Sequence, residues 1–98
     1  MNDCNDMLAS LKRFKEQHGK EYRLLSLGIF GSFARDEATE NSDVDIVFET
    51  DEPNLFRAAR LKEDIEALLS RHVDIVRLRE RMNPRLKARI EREARYAR

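Results

Sequence analysis

The junction between residues 24 and 48 limits the fold of this chain more than any other stretch. A dense apolar run, Leu24 to Phe30, ends in Gly31-Ser32. Ten residues later Asp43-Val44-Asp45 opens a second apolar run that reaches Phe48. Leu24, Leu25, Leu27, Ile29 and Phe30 are too crowded for one helical stripe, so Tyr22–Phe30 and Asp43–Glu49 are expected as strands. Strand side chains alternate faces, which puts Asp43 and Asp45 on one side, roughly 6.5–7 Å apart at Cα. Two carboxylates so placed are costly unless a cation neutralises them. Their oxygens suit Mg²⁺, which one or two carboxylates hold together with substrate phosphates. Gly31 lets the backbone approach a ligand closely, and Ser32 begins a turn whose N–H groups and hydroxyl can hold phosphate oxygens. Either half alone is weak. Together they are the two components of a nucleoside-triphosphate site.

The flanking sequence supplies the remaining elements. Met7, Leu8, Leu11, Phe14 and His18 recur at helical spacing, which predicts a helix over residues 3–18 stopped near Gly19. Residues 33–41 suit one short helical turn and a loop. Asn54 is a plausible N-cap for a helix carrying the stripe Leu55, Ala58, Leu61, Ile65, Leu68 and Leu69. His72–Arg77 reads as a third strand. Asn83-Pro84 opens a last helix, with Leu86, Ile90, Ala94 and Ala97 along one side. The order helix, strand, strand, helix, strand, helix predicts an α/β (α+β) fold, a small mixed sheet packed with helices, as one domain over residues 1–98.

A third acid, Asp74, interrupts the apolar run Val73-Asp74-Ile75-Val76. A strand beside Val44–Phe48 would bring it to the same cluster, making a two-metal or metal-plus-base site. The alternative is an edge-strand acid facing water, and the strand by itself does not separate the two. His18 and His72 lack a second histidine or cysteine at ligand spacing and read as structural. Cys4 falls in a polar N-terminal stretch expected to be mobile. Phe14, Phe30, Phe48 and Phe56 are expected as core filling, and Phe33 as core or pocket rim.

Charge narrows the function classes. The formal net charge is zero, yet residues 36–54 hold eight acids and no base, while residues 77–98 hold nine bases against three acids. The acidic block surrounds the proposed cation site and the basic block is the last helix. Arg85, Arg89 and Arg92 there share a face that is either solvated or docks an acidic partner. Nucleic acid is not favoured, because the domain has no aromatic platform and is otherwise acidic. No apolar run approaches the ~20 residues that span a bilayer. The N-terminus lacks the pattern of a signal peptide, and one cysteine asks for no oxidising compartment, so a cytoplasmic protein is expected.

Gly31-Ser32, ten residues and Asp43-Val44-Asp45, within the run Gly-Ser-Phe-Ala-Arg-Asp-Glu-Ala, resemble the signature of nucleotidyltransferases related to DNA polymerase β. The size is similar to that of their minimal members, and the palm-like fold of that superfamily is implied. The resemblance implies that Gly31 and Ser32 contact a triphosphate and that Asp43 and Asp45 bind two Mg²⁺ ions. It implies that Asp74 completes the metal site and helps activate an attacking hydroxyl. Arg35 is a further candidate for phosphate contact, against the alternative of a solvated or ion-paired arginine. One position departs from the family pattern: Asp36 stands where glycine is frequent, a residue that tolerates left-handed backbone but adds negative charge near the site.

The implied reaction is transfer of AMP from ATP to a hydroxyl. One small core leaves no segment for an acceptor domain, so the acceptor is expected on another polypeptide. The resemblance implies a HEPN-type helical toxin as that partner, modified on tyrosine within a toxin–antitoxin module, in a homo- or hetero-oligomer. Two alternatives stand beside it: an antitoxin that neutralises by binding alone, and a transferase acting on small molecules.

Overall fold

In the computed structural model of the chain, which describes residues 3–98, seven elements follow in the order α1 (Cys4–Tyr22), β1 (Leu24–Phe30), β2 (Val44–Thr50), α2 (Leu55–Leu69), β3 (Val73–Arg77), α3 (Pro84–Glu93) and β4 (Arg95–Tyr96). Residues 1 and 2, where the single domain expected over 1–98 begins, lie outside the described residues. The strands form one mixed sheet in the order β3-β2-β1-β4, with β2 antiparallel to β1 and parallel to β3. The expected fold class is the one observed.

Strand alternation divides the core in two. Leu27, Ile29, Val44, Ile46, Phe48 and Val73 face α1 and α2, where Met7, Leu11, Leu61 and Ile65 complete a buried cluster. Phe30 and Val47 face the other way, against Ile90 of α3, with Val76, Leu86 and Tyr96 at the margin. The parallel register pairs Asp45 with Asp74, so these two acids share the α3 side of the sheet. Among the described residues no helix is long and apolar enough to cross a membrane.

Helix boundaries follow local chemistry. Asn54 accepts from the Arg57 amide at 2.9 Å, and Asn83 accepts from the Arg85 and Leu86 amides ahead of Pro84, as the sequence predicts. Gly19, by contrast, does not stop α1. The helix runs on to Tyr22, which is 2% exposed and whose hydroxyl donates to Asp64 of α2, and it closes on Arg23 in left-handed backbone. Burying a tyrosine offsets the roughly 1 kcal/mol that glycine costs inside a helix. Cys4 is the first residue of α1 and is buried, contrary to the mobile N-terminus expected.

The helix α2 buries only Leu61, Ile65 and Leu69, with Ala58 partly covered. Leu55, Leu68 and Phe56 lie outside that stripe, and Phe56 is 85% exposed rather than core. The last helix is also shorter than expected. Ala94 turns extended, and Arg95–Tyr96 pair with Ile29 and Gly28 of β1 as a fourth strand.

Candidate active site

The site is built where β1 ends and β2 and β3 begin. Phe30, the last residue of β1, is paired with Asp45, so Gly31 emerges beside that carboxylate. Gly31 has φ +77, and a β-carbon added there would strike the Asp45 carboxylate. The chain then makes a single helical turn: the Arg35 amide donates to the Gly31 carbonyl at 3.1 Å and the Glu37 amide to the Ser32 carbonyl at 2.9 Å. Asp36 closes that turn at φ +62, the left-handed backbone that the glycine common at this position would supply without strain.

Asp43 and Asp74 are exposed, while Asp45 is largely enclosed. Burial and then the charge of Asp74 hold the Asp45 carboxyl above the ordinary carboxylate range. Asp43 adds to the rise, and Arg89 and Arg35 pull against it. The three acids therefore share one electrostatic neighbourhood. They offer oxygen ligands only, the donor set of a hard cation such as Mg²⁺. Among the described residues no three such side chains are gathered into a ready-made metal cage.

Two details bear on the sequence reading, the second being the ion-paired alternative it left open for Arg35. The Gly31 amide already donates to Glu93 Oε1 at 3.2 Å, so it is not a free donor of the turn. Arg35 is ion-paired, through Nε to Glu37 and through Nη1 to Glu93, each at 2.9 Å. Sequence reasoning left Arg89 on a basic face and passed over Glu93. Arg89 lies over the Phe30 ring at 5.5 Å, and its Nε is 3.5 Å from Glu93 Oε1. The only available signal was an acid four residues after an arginine in a strongly basic segment.

The surroundings separate this place from the other concavities. A polar recess of about 450 Å³, lined by Glu40, Asn41, Ser42, Asp43, Ser70, Arg71 and His72, adjoins Asp43. Phe33 is core rather than rim, and Arg71 covers its ring at 5.0 Å. A more apolar groove of about 360 Å³ lies at the far ends of β2 and β3, between Phe48, Arg77 and the start of α2, and includes none of the three acids. The chemistry of the carboxylates, not the depth of that groove, locates the site.

Comparison with known proteins agrees with this geometry. The family described as nucleotidyltransferase domain matches residues 10–97. The protein adenylyltransferase MntA of Thermococcus cleftensis is 40% identical over 74 residues, covering 70% of this chain and 75% of that protein. A solved structure of a candidate minimal nucleotidyltransferase superposes with a TM-score of 0.76 at 35% identity, covering 95% of this chain and 94% of the other. The MNT antitoxin solved in complex with the tri-AMPylated HEPN toxin of Shewanella oneidensis has a TM-score of 0.58 at 17% identity, covering 88% of this chain and 71% of that one, a likeness of fold.

Proposed function

The chain belongs to the nucleotidyltransferase domain family, and from that premise we propose that it transfers AMP from Mg-ATP to a hydroxyl, a tyrosine, on a HEPN-type toxin protein. The observation that carries this reading is the in-register pairing of Asp45 with Asp74 beside the Gly31-Ser32 turn. Asp43 and Asp45 would hold the magnesium, with Asp74 as a third ligand. Bound there, it would supply positive charge against the phosphoryl oxygens and the leaving pyrophosphate.

The residues divide the remaining work. Ser32 and the turn it opens hold the triphosphate in line with the acceptor. The acceptor hydroxyl oxygen bonds to the α-phosphorus as the bond to pyrophosphate breaks, and Asp74 takes the hydroxyl proton. Asp74 is exposed on β3, an edge strand, so a hydroxyl carried by a folded partner can reach it. A small-molecule acceptor needs no such open edge. A cytoplasmic protein is the reading that goes with an ATP-dependent reaction.

The test is to mix the protein with the product of the adjacent gene and Mg-ATP, then weigh both chains by mass spectrometry. The partner should gain one or more AMP units with the wild type and none with Asp43→Asn. A partner that is silenced by wild type and variant alike, with no change in mass, would instead make this a binding antitoxin.

A further inference from the structure

Beyond the acids and the turn, one carboxylate touches nearly every part of the phosphate side of the site. Glu93, the last residue of α3, has a side chain only 10% exposed. Its Oε1 accepts from the Gly31 amide at 3.2 Å and from Arg35 Nη1 at 2.9 Å, and lies 3.5 Å from Arg89 Nε. Its Oε2 is 3.7 Å from Arg92 Nη2. A nearly buried carboxylate with this many donors is held firmly, and it holds them in return. Among the described residues, the hydrogen bonds that tie Gly31 and Arg35 to α3 both end on this group.

We infer that Glu93 is a positioning residue of the transfer site, locking the Gly31-Ser32 turn to α3 and fixing the guanidinium groups of Arg35 and Arg89 beside Asp45. The inference rests on the transferase reading above. It assigns Glu93 no contact with the nucleotide. Charge supports the role: two arginines next to a triphosphate are useful only if they are kept from collapsing onto Asp43, Asp45 and Asp74, and Glu93 is the acid that both share, with Glu37 also holding Arg35. The opposite idea, that Glu93 occupies the place of a phosphate and competes with it, predicts the opposite sign on removal.

Glu93→Gln keeps an oxygen for the Gly31 amide and deletes the charge. Calorimetric titration with Mg-ATP of the folded chain alone provides the readout. Wild-type binding checks the transferase reading itself, and its absence would end that reading together with this one. Given wild-type binding, Glu93→Gln should bind about tenfold more weakly, the scale of one charge-assisted contact. With the partner present, KM for ATP should rise while kcat at saturation stays close to wild type. Arg35→Gln should add little in the Glu93→Gln background, because the two act through one contact. Unchanged or tighter binding by Glu93→Gln, with or without a lower melting temperature, overturns the inference. If Glu93→Gln does not fold, Arg89→Gln, which leaves the Gly31 contact intact, should still weaken Mg-ATP binding severalfold; unaltered affinity in that variant overturns it as well.

Discussion

The Asp45 carboxylate fills the space that a β-carbon at position 31 would need, and its Cγ stands 3.1 Å from that point. Gly31 is therefore fixed twice, by its φ of +77 and by the acid beside it. The turn after β1 and the strand that carries Asp45 are thus in direct contact.

Gly31→Ala should consequently damage both stability and chemistry. Left-handed backbone costs a non-glycine residue about 1–2 kcal/mol, before the clash is counted. On the proposed transfer, displacing Asp45 would misplace a metal ligand, and a shift of about 1 Å near reacting atoms can cost about a hundredfold in rate. Thermal melting and the partner-mass assay should show a lower Tm and transfer reduced by at least that order. A variant with wild-type transfer would mean that Asp45 is free to move away.

Asp45→Asn should separate stability from activity. A carboxyl whose folded titration point is raised binds its proton more tightly in the native chain than in the unfolded one. Its ionised form therefore costs the fold at neutral pH, and the cost fades as pH falls toward the ordinary value of 3.8. In metal-free buffer at pH 7 the Asn variant should melt a few degrees above wild type, and the gap should narrow toward pH 4. Transfer should be lost. A variant that melts lower at pH 7 would show that Asp45 is stabilised by Arg89 and Arg35 more than it is strained by burial and Asp74.

The legibility of this chain followed the range of its interactions. The first three strands and the Asn54 and Asn83 caps come from periodicity and neighbours a few residues apart, and these agree with the structure. Gly19 misled because the burial of Tyr22, decided by its contact with Asp64 forty-two residues away, overrode a local breaker. Phe56 misled because composition does not say which side of a helix meets the sheet. The role of Glu93 at the end of β1 was hidden because those partners, Arg35 and Gly31, lie 58 and 62 residues away in sequence, and its i,i+4 neighbour Arg89 gave only a local hint.

Asp36→Gly should be tolerated or beneficial. The residue holds φ +62, a conformation glycine adopts without penalty, and relief is worth up to about 1 kcal/mol. The substitution also removes a negative charge near the triphosphate. Tm should rise modestly and Mg-ATP affinity should equal or exceed that of wild type. A drop in Tm would show that the Asp36 side chain makes a contribution the backbone conformation does not explain.

The last prediction tests how the short fourth strand supports the site. A β-carbon at Gly28 would lie 2.7 Å from the Arg95 carbonyl oxygen and 2.9 Å from Tyr96 Cδ1, so Gly28 is what lets β4 approach β1. The first is backbone and the second a partly buried ring on a paired strand, and neither is the tip of a flexible side chain. Gly28→Val should push β4 away, at a cost of about 1–3 kcal/mol typical of overpacking. The Ala97 amide, which donates to the Leu27 carbonyl at 2.8 Å, should then exchange its hydrogen faster. Because Glu93 lies two residues before Arg95, loss of β4 should also loosen its hold on Gly31 and weaken Mg-ATP binding in parallel with Glu93→Gln. Faster exchange at Ala97 with unchanged Mg-ATP affinity would show that α3 keeps its place through Ile90 and its neighbours, and that β4 serves the fold without serving the site.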